Sequence, residues 1–126
     1  MCMNDESLIK VATKEIVCYK AFWEYKDRLT RIHVDTSPVK RGLHKGTMFP
    51  KCDNDRGYDD GGFYAFIYKK DANVYINHNK SMVVVECRVP TGSRYITGTQ
   101  HHQGKDRKTL RAEYMTALIP KKYKNT

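Results

Sequence analysis

A chain of 126 residues holds one domain with one modest core and is too short for two ordinary ones, so it reads as a single domain over residues 1–126. Its 40% hydrophobic content and nine tyrosines argue against a disordered chain. The formal charge of +9 favours an anionic partner, either nucleic acid, a phosphate-rich cofactor or an acidic protein surface, and five of the nine units fall in residues 101–126. No apolar run nears the roughly 18 residues a spanning helix needs, and Asp5 and Glu6 stand where a signal peptide would be basic. A soluble, cytoplasmic protein with no membrane partner is therefore expected.

Residues 16–25, Ile-Val-Cys-Tyr-Lys-Ala-Phe-Trp-Glu-Tyr, are β-branched and aromatic and predict the first core strand. The alternate set Val17, Tyr19, Ala21, Trp23 and Tyr25 is almost wholly apolar and is expected to face the core. Lys26-Asp27-Arg28 turns the chain into a weaker strand over Leu29–Val34, with Ile32 and Val34 on one face. Thr36–Gly62, with two prolines, five glycines and little periodicity, reads as a long connection or functional loop.

Gly61-Gly62 then opens a strand through Phe63, Tyr64 and Phe66 to Tyr68. Asp71 predicts a helix cap, the helix running to about His78 with Ala72, Tyr75 and Ile76 on one side. Ser81–Val89 is an apolar central strand ended by Pro90-Thr91-Gly92, and Arg94–Thr97 a short one. Thr99–Lys108 is polar and reads as a loop. Thr109–Ile119 is a final alternating strand with Leu110, Ala112, Tyr114 and Leu118 on one face, and residues 120–126 form a basic C-terminal tail. The sum is an α+β domain, strand-rich, with mainly antiparallel sheets and one or two short helices.

Several chemistries are disfavoured by spacing. Cys2, Cys18, Cys52 and Cys87 lack the close pairing of zinc or redox motifs and are expected as free thiols, with Cys18 and Cys87 in the core. Asp53-Asn54-Asp55-Arg56-Gly57-Tyr58 has its glycine one place too early for a calcium loop, and no glutamate stands at the twelfth position. The neighbours His101 and His102 point to opposite faces of an extended backbone, so no metal site is expected from them. Gly57 and Gly61-Gly62 lack the spacing and lysine of a phosphate loop.

The segment from Gly62 to Ile119 carries a more specific pattern. Gly62-Phe63-Tyr64, then Ala72-Asn73 and Tyr75, then Val83 to Val89 with its Val-x-x-Gly-x-x-Tyr exit through Gly92 to Tyr95, and finally Glu113-Tyr114 on a late strand, resembles the catalytic half of ADP-ribosyltransferases of the poly(ADP-ribose) polymerase type. The resemblance covers 58 of 126 residues at the level of motifs. It implies an ADP-ribosyltransferase-like fold and an enzyme that binds NAD as substrate and transfers ADP-ribose to a macromolecular acceptor. Tyr64 and Tyr75, eleven residues apart, would sandwich the nicotinamide ring beside Gly62, and Glu113 would bond the ribose hydroxyls and steady the oxocarbenium-like transition state. No metal would be needed. The family's first strand carries a His-Gly pair that grips the adenosine ribose. This chain has none, which leaves Lys20 on the first strand or His33 on the second to stand for it. Arg111, two residues before Glu113, occupies the position of a second acid in arginine-targeting members and makes arginine an unsuitable acceptor.

The competing class is a non-catalytic basic binding protein. Lysines and arginines interleaved with Tyr19, Trp23, Tyr25, Tyr58 and Tyr68 suit a nucleic-acid binder or a small phage-type inhibitor of host machinery. An inactive descendant of the transferase fold would belong to this class as well.

Overall fold

A computed structural model describes residues 9–30, 39–46, 62–77 and 79–125, together with the backbone of residues 4–5. Among these residues ten strands and one helix follow in order: β1 (Asn4–Asp5), β2 (Lys10–Val11), β3 (Ile16–Tyr25), β4 (Arg28–Thr30), β5 (Leu43–Lys45), β6 (Phe63–Phe66), α1 (Lys69–Tyr75), β7 (Met82–Val89), β8 (Arg94–His102), β9 (Lys105–Ala112) and β10 (Tyr114–Ala117). All pairings are antiparallel, in the order β1-β8-β9-β6-β3-β7-β10-β5, with β2 on β8 and β4 on β3. The expected strand-rich architecture with a short helix is therefore present.

The order closes on itself. β9 pairs with β6, β6 with β3, β3 with β7 and β7 with β10, and β10 follows β9 after a single residue, Glu113. One bent strand, residues 105–117, thus contributes to both ends of the path, which leaves the ladder no free edge along this circuit. Cys18, Phe22, Ala65, Val85, Cys87, Val89, Leu110, Ala112 and Met115 fill the inside.

Glu113 also reverses the alternation. Leu110 and Ala112 point inward, but beyond the unpaired Glu113 the inward residue is Met115, while Tyr114 lies under Lys45 and Leu118 is exposed. The expected single strand over Thr109–Ile119 is therefore two strands, because one extra residue at a bend moves every later side chain to the opposite face.

On β3 the inward set is Cys18, Lys20 and Phe22, not Val17, Tyr19, Ala21, Trp23 and Tyr25; Val17 and Tyr25 are exposed. The interior lysine is what disguised the pattern. Its Nζ donates a hydrogen bond to the Tyr64 carbonyl oxygen at 2.7 Å, a strong acceptor that lets an ammonium occupy a position otherwise suited to an apolar residue. The opposite face is covered in part by α1, which lies against β3, β6 and β7.

The expected loop over Thr99–Lys108 is instead the tip of a long hairpin, β8 extending through His102 and pairing with Lys105. Gln103 and Gly104 turn the chain with φ of 51° and 75°, the left-handed pair that matches strand twist. Ladder bonds and turn geometry hold this tip, so apolar alternation was absent. Lys26 and Asp27, with φ of 49° and 63°, make the same two-residue turn between β3 and β4. The second strand is described only as Arg28–Thr30; Ile32, His33, Val34 and the stretch 47–61 lie outside the described residues, and β5 occupies part of the expected connection.

The helix begins earlier than expected. Its N-cap is Tyr68, and Asp71 sits in the first turn, buried, with its carboxylate bonded to Arg107 at 2.9 Å rather than to the helix backbone. It ends at Tyr75; His78 lies outside the described residues.

Residues 120–126 are basic, with Lys121, Lys122 and Lys124 exposed, yet the segment is docked through residue 125. Tyr123 and Asn125 are buried. The Asn125 side chain accepts from Leu29 N at 2.9 Å and donates to Leu29 O at 3.0 Å and Val39 O at 2.6 Å, acting as a substitute strand beside β4. Arg41 donates to the carbonyls of Ile119, Pro120, Tyr123 and Asn125 at 2.6, 2.9, 2.9 and 2.8 Å. Tyr123 OH donates to Glu24, and burial with that bond pushes its pKa up to about 12. Among the described residues no helix is long and apolar enough to cross a membrane.

Candidate functional site

The outward face of β6, β9 and β8 carries most of the polar chemistry. On β6, Ala65 points into the core, so Tyr64 and Phe66 point out. Tyr64 pairs with Arg111 across the ladder, and the guanidinium carbon lies 5.7 Å from the ring centroid. Arg111 is the largest fully buried side chain among the described residues, and the Tyr64 ring face supplies part of the negative potential that such a desolvated cation needs.

Glu113 stands one row further along the same face, at the bend. Its carboxylate takes two hydrogen bonds from Arg94, one from Nε at 3.3 Å and a closer one from Nη2, and these bonds hold the Arg94 guanidinium above its usual pKa. Its backbone is fixed as well: Glu113 N donates to Arg94 O at 3.0 Å and Gly46 N donates to Glu113 O at 2.6 Å. Gly62, in left-handed backbone at φ 83°, abuts this point, since a Cβ on Gly46 would lie 2.6 Å from the Gly62 Cα.

Tyr75 belongs to the other end of the face. Its ring meets Phe66 and His102, each at a centroid distance of 5.5 Å, and burial raises its pKa. Phe66 pairs with Thr109, four residues before Glu113, which separates the two ends by roughly 13 Å at the usual strand rise. Tyr64, Gly62 and Glu113 are therefore neighbours, and Tyr75 stands apart from them. Lys20 is on the opposite side of the sheet. It lines an apolar interior cavity of about 20 Å³ with Phe22, His44, Phe63, Cys87 and Met115, space for about one water and not for a nucleotide. His33 lies outside the described residues.

A second cluster forms where α1 begins and the β8–β9 hairpin turns, and sequence reasoning passed over it. Ile67 N donates to Lys108 O at 3.1 Å, and Arg107 Nη1 donates to Asp71 Oδ1 at 2.9 Å, so the helix start and the first residues of β9 form one surface. Lys69, Lys70, Lys105 and Lys108 are exposed there, and Tyr68, 46% exposed, has the Lys70 Nζ 5.7 Å from its ring centroid. The nearby carboxylates are engaged: Asp71 by Arg107, and Asp106 by His101 Nδ1 at 2.9 Å. The signal was the density of Lys and Arg in 105–108 and at 69–70, which acquires meaning only when the hairpin and helix are seen to meet.

The thiols of Cys18 and Cys87 face each other across the β3–β7 ladder, free and buried, and burial pushes both pKa values up, that of Cys87 to about 12. They are core groups in this state and not nucleophiles. Among the described residues no three His, Cys, Asp or Glu side chains are grouped as a metal site would require. No family model, curated protein or solved structure matches this chain.

Proposed function

We propose that the chain is a non-catalytic nucleic-acid-binding domain whose contact surface is the end formed by the start of α1 and the β8–β9 hairpin. The observation that carries this reading is that two lysine-bearing segments, Lys69-Lys70 beside exposed Tyr68 and Lys105 and Lys108 on opposite faces of β9, are joined by the Ile67–Lys108 backbone bond and the Arg107–Asp71 pair. Lysines on a flexible stem neutralise phosphates, and an exposed tyrosine ring beside Lys70 offers a face on which a base stacks. The test is affinity for a labelled single-stranded oligonucleotide. Lys69→Gln/Lys70→Gln and Lys105→Gln/Lys108→Gln should each weaken binding, while Lys121→Gln/Lys122→Gln, in the docked C-terminal segment, should change it little. Equal losses from all three pairs would mean diffuse charge and not a surface; retention of an acidic protein partner with no oligonucleotide binding would assign the basic end to protein recognition.

A second reading, ADP-ribosyl transfer from NAD, is favoured by the adjacency of Tyr64, Gly62 and Glu113 on one outward face. Glu113 would have to exchange Arg94 for ribose hydroxyls, and Tyr64 would offer one aromatic face for nicotinamide. Nicotinamide release from NAD, abolished in Glu113→Gln, is the result that would support it.

A further inference from the structure

The sheet face beside the basic end holds an unsatisfied set of polar atoms. Gln100 Oε1, His102 Nε2 and Thr109 Oγ1 are buried and have no hydrogen-bond partner among the described residues. They belong together: Gly98 pairs with Thr109, Gln100 with Arg107 and His102 with Lys105, so all three project from the same face of β8 and β9. Gly98, itself buried, stands opposite Thr109 and contributes no side chain to that face. Buried polar groups are normally paired, since leaving one unmet costs about 1–3 kcal/mol. Three on one face mark a place where an added polar partner would be taken up.

Resting on the nucleic-acid reading above, the geometry points to this row of polar atoms as a nucleobase subsite: the chain reads one unstacked base of a single strand whose phosphates run over the lysines at the start of α1 and the hairpin tip. The donor and acceptor types fit. The amide oxygen accepts from an exocyclic amine, the hydroxyl donates or accepts, and the imidazole nitrogen serves either role according to tautomer. The wall fits as well. Tyr75 lies on His102 and Phe66 at 5.5 Å from each, so an incoming base replaces the phenol ring on the same two aromatic neighbours, one flat ring for another. A duplex cannot present a base in this way, which restricts the ligand to single strands, loops or ends.

The test compares the full chain with Thr109→Val and Gln100→Leu for binding to labelled oligo(dA), oligo(dC) and oligo(dT) of about 12 nucleotides. The wild type should separate the best from the worst of the three by about tenfold, within what good contacts to one base edge supply. Both variants should compress that spread to about twofold, and Thr109→Val should melt no lower than the wild type, since replacing an unpaired buried hydroxyl by a methyl of the same shape removes no bond. A Thr109→Val variant that is markedly less stable overturns the proposal, because its hydroxyl then has a structural partner. A spread that survives both substitutions overturns it too. Steep salt-dependent binding with no preference among the three ends the readout proposal while leaving the binding surface standing; no binding to any of them removes the reading on which it rests.

Discussion

Replacing Asn125 by alanine tests whether the C-terminal segment is part of the fold. Leu29 is fully buried; the Asn125 side chain accepts from its N–H and donates to its C=O and to Val39 O, and the Leu29 carbonyl also accepts from Val39 N at 3.0 Å. Alanine leaves Leu29 N–H and Val39 O without that partner, while Leu29 O keeps its bond from Val39 N. At about 1–3 kcal/mol for each buried unmet group, with Val39 O partly relieved by water, the loss should come to about 2–4 kcal/mol. That is a large share of the 5–15 kcal/mol expected for the whole domain. In urea titrations with a slope of about 1.5 kcal/mol per M, the midpoint should fall by roughly 1–3 M. Asn125→Asp should be nearly as damaging, since a carboxylate accepts from Leu29 N but faces two carbonyls to which it cannot donate. Lys124→Ala, which removes only an exposed side chain, should stay within about 0.5 kcal/mol of the wild type. If Asn125→Ala matched Lys124→Ala, the docked segment would contribute nothing and the reasoning would be refuted.

Arg41→Lys should cost about 1–2 kcal/mol by the same assay, because an ammonium cannot span the four carbonyls that the guanidinium fork reaches; an unchanged midpoint would contradict this. Gly46→Ala should be more harmful than an ordinary glycine substitution, since its Cβ would lie 2.6 Å from backbone at Gly62, and a thermal melt within 2 °C of the wild type, about the smallest shift that 1 kcal/mol produces, would show that the two strands part freely. Stability should also fall in alkali. The unfolded thiols of Cys18 and Cys87 ionise near pH 9 while the folded ones stay protonated, so above pH 9 the unfolded state holds fewer protons and is favoured, until the folded Cys87 titrates at about 12. The slope between pH 9 and 11 should approach about 2–3 kcal/mol per pH unit, and Cys18→Ala/Cys87→Ala should flatten it; equal slopes would contradict the burial argument.

Much of the strand content was legible because it rests on local chemistry. The ten residues 16–25 and the apolar run ending at Val89 are β-branched and aromatic, and both form the strands expected of them. What failed depended on tertiary contacts. Lys20 occupies an interior position because of a carbonyl supplied by Tyr64, forty-four residues away, and no pattern within β3 announces it. Glu113 sits at the bend with a bond from Gly46 N and one to Arg94 O, so the parity of everything after it could not be read from alternation alone. The hairpin tip is polar on both faces, and its turn residues Gln103-Gly104 carry a weaker signal than Asn-Gly. Of the residues singled out for chemistry, Tyr64 and Glu113 do share a face, whereas Lys20 points into the core and Tyr75 stands with His102. The basic end escaped notice because its lysines come from two segments more than thirty residues apart, joined by the Arg107–Asp71 bond.

The most direct test of the proposed binding surface is to titrate isotope-labelled protein with a short single-stranded oligonucleotide and follow the backbone amide resonances at several salt concentrations. Shifts concentrated at residues 67–71 and 100–109, with a log–log salt slope of about −3 for four neutralised phosphates, are the predicted result. Shifts centred on Gly62, Tyr64 and Glu113 that appear only with NAD, or no salt-dependent shifts at the hairpin and helix start, would contradict it.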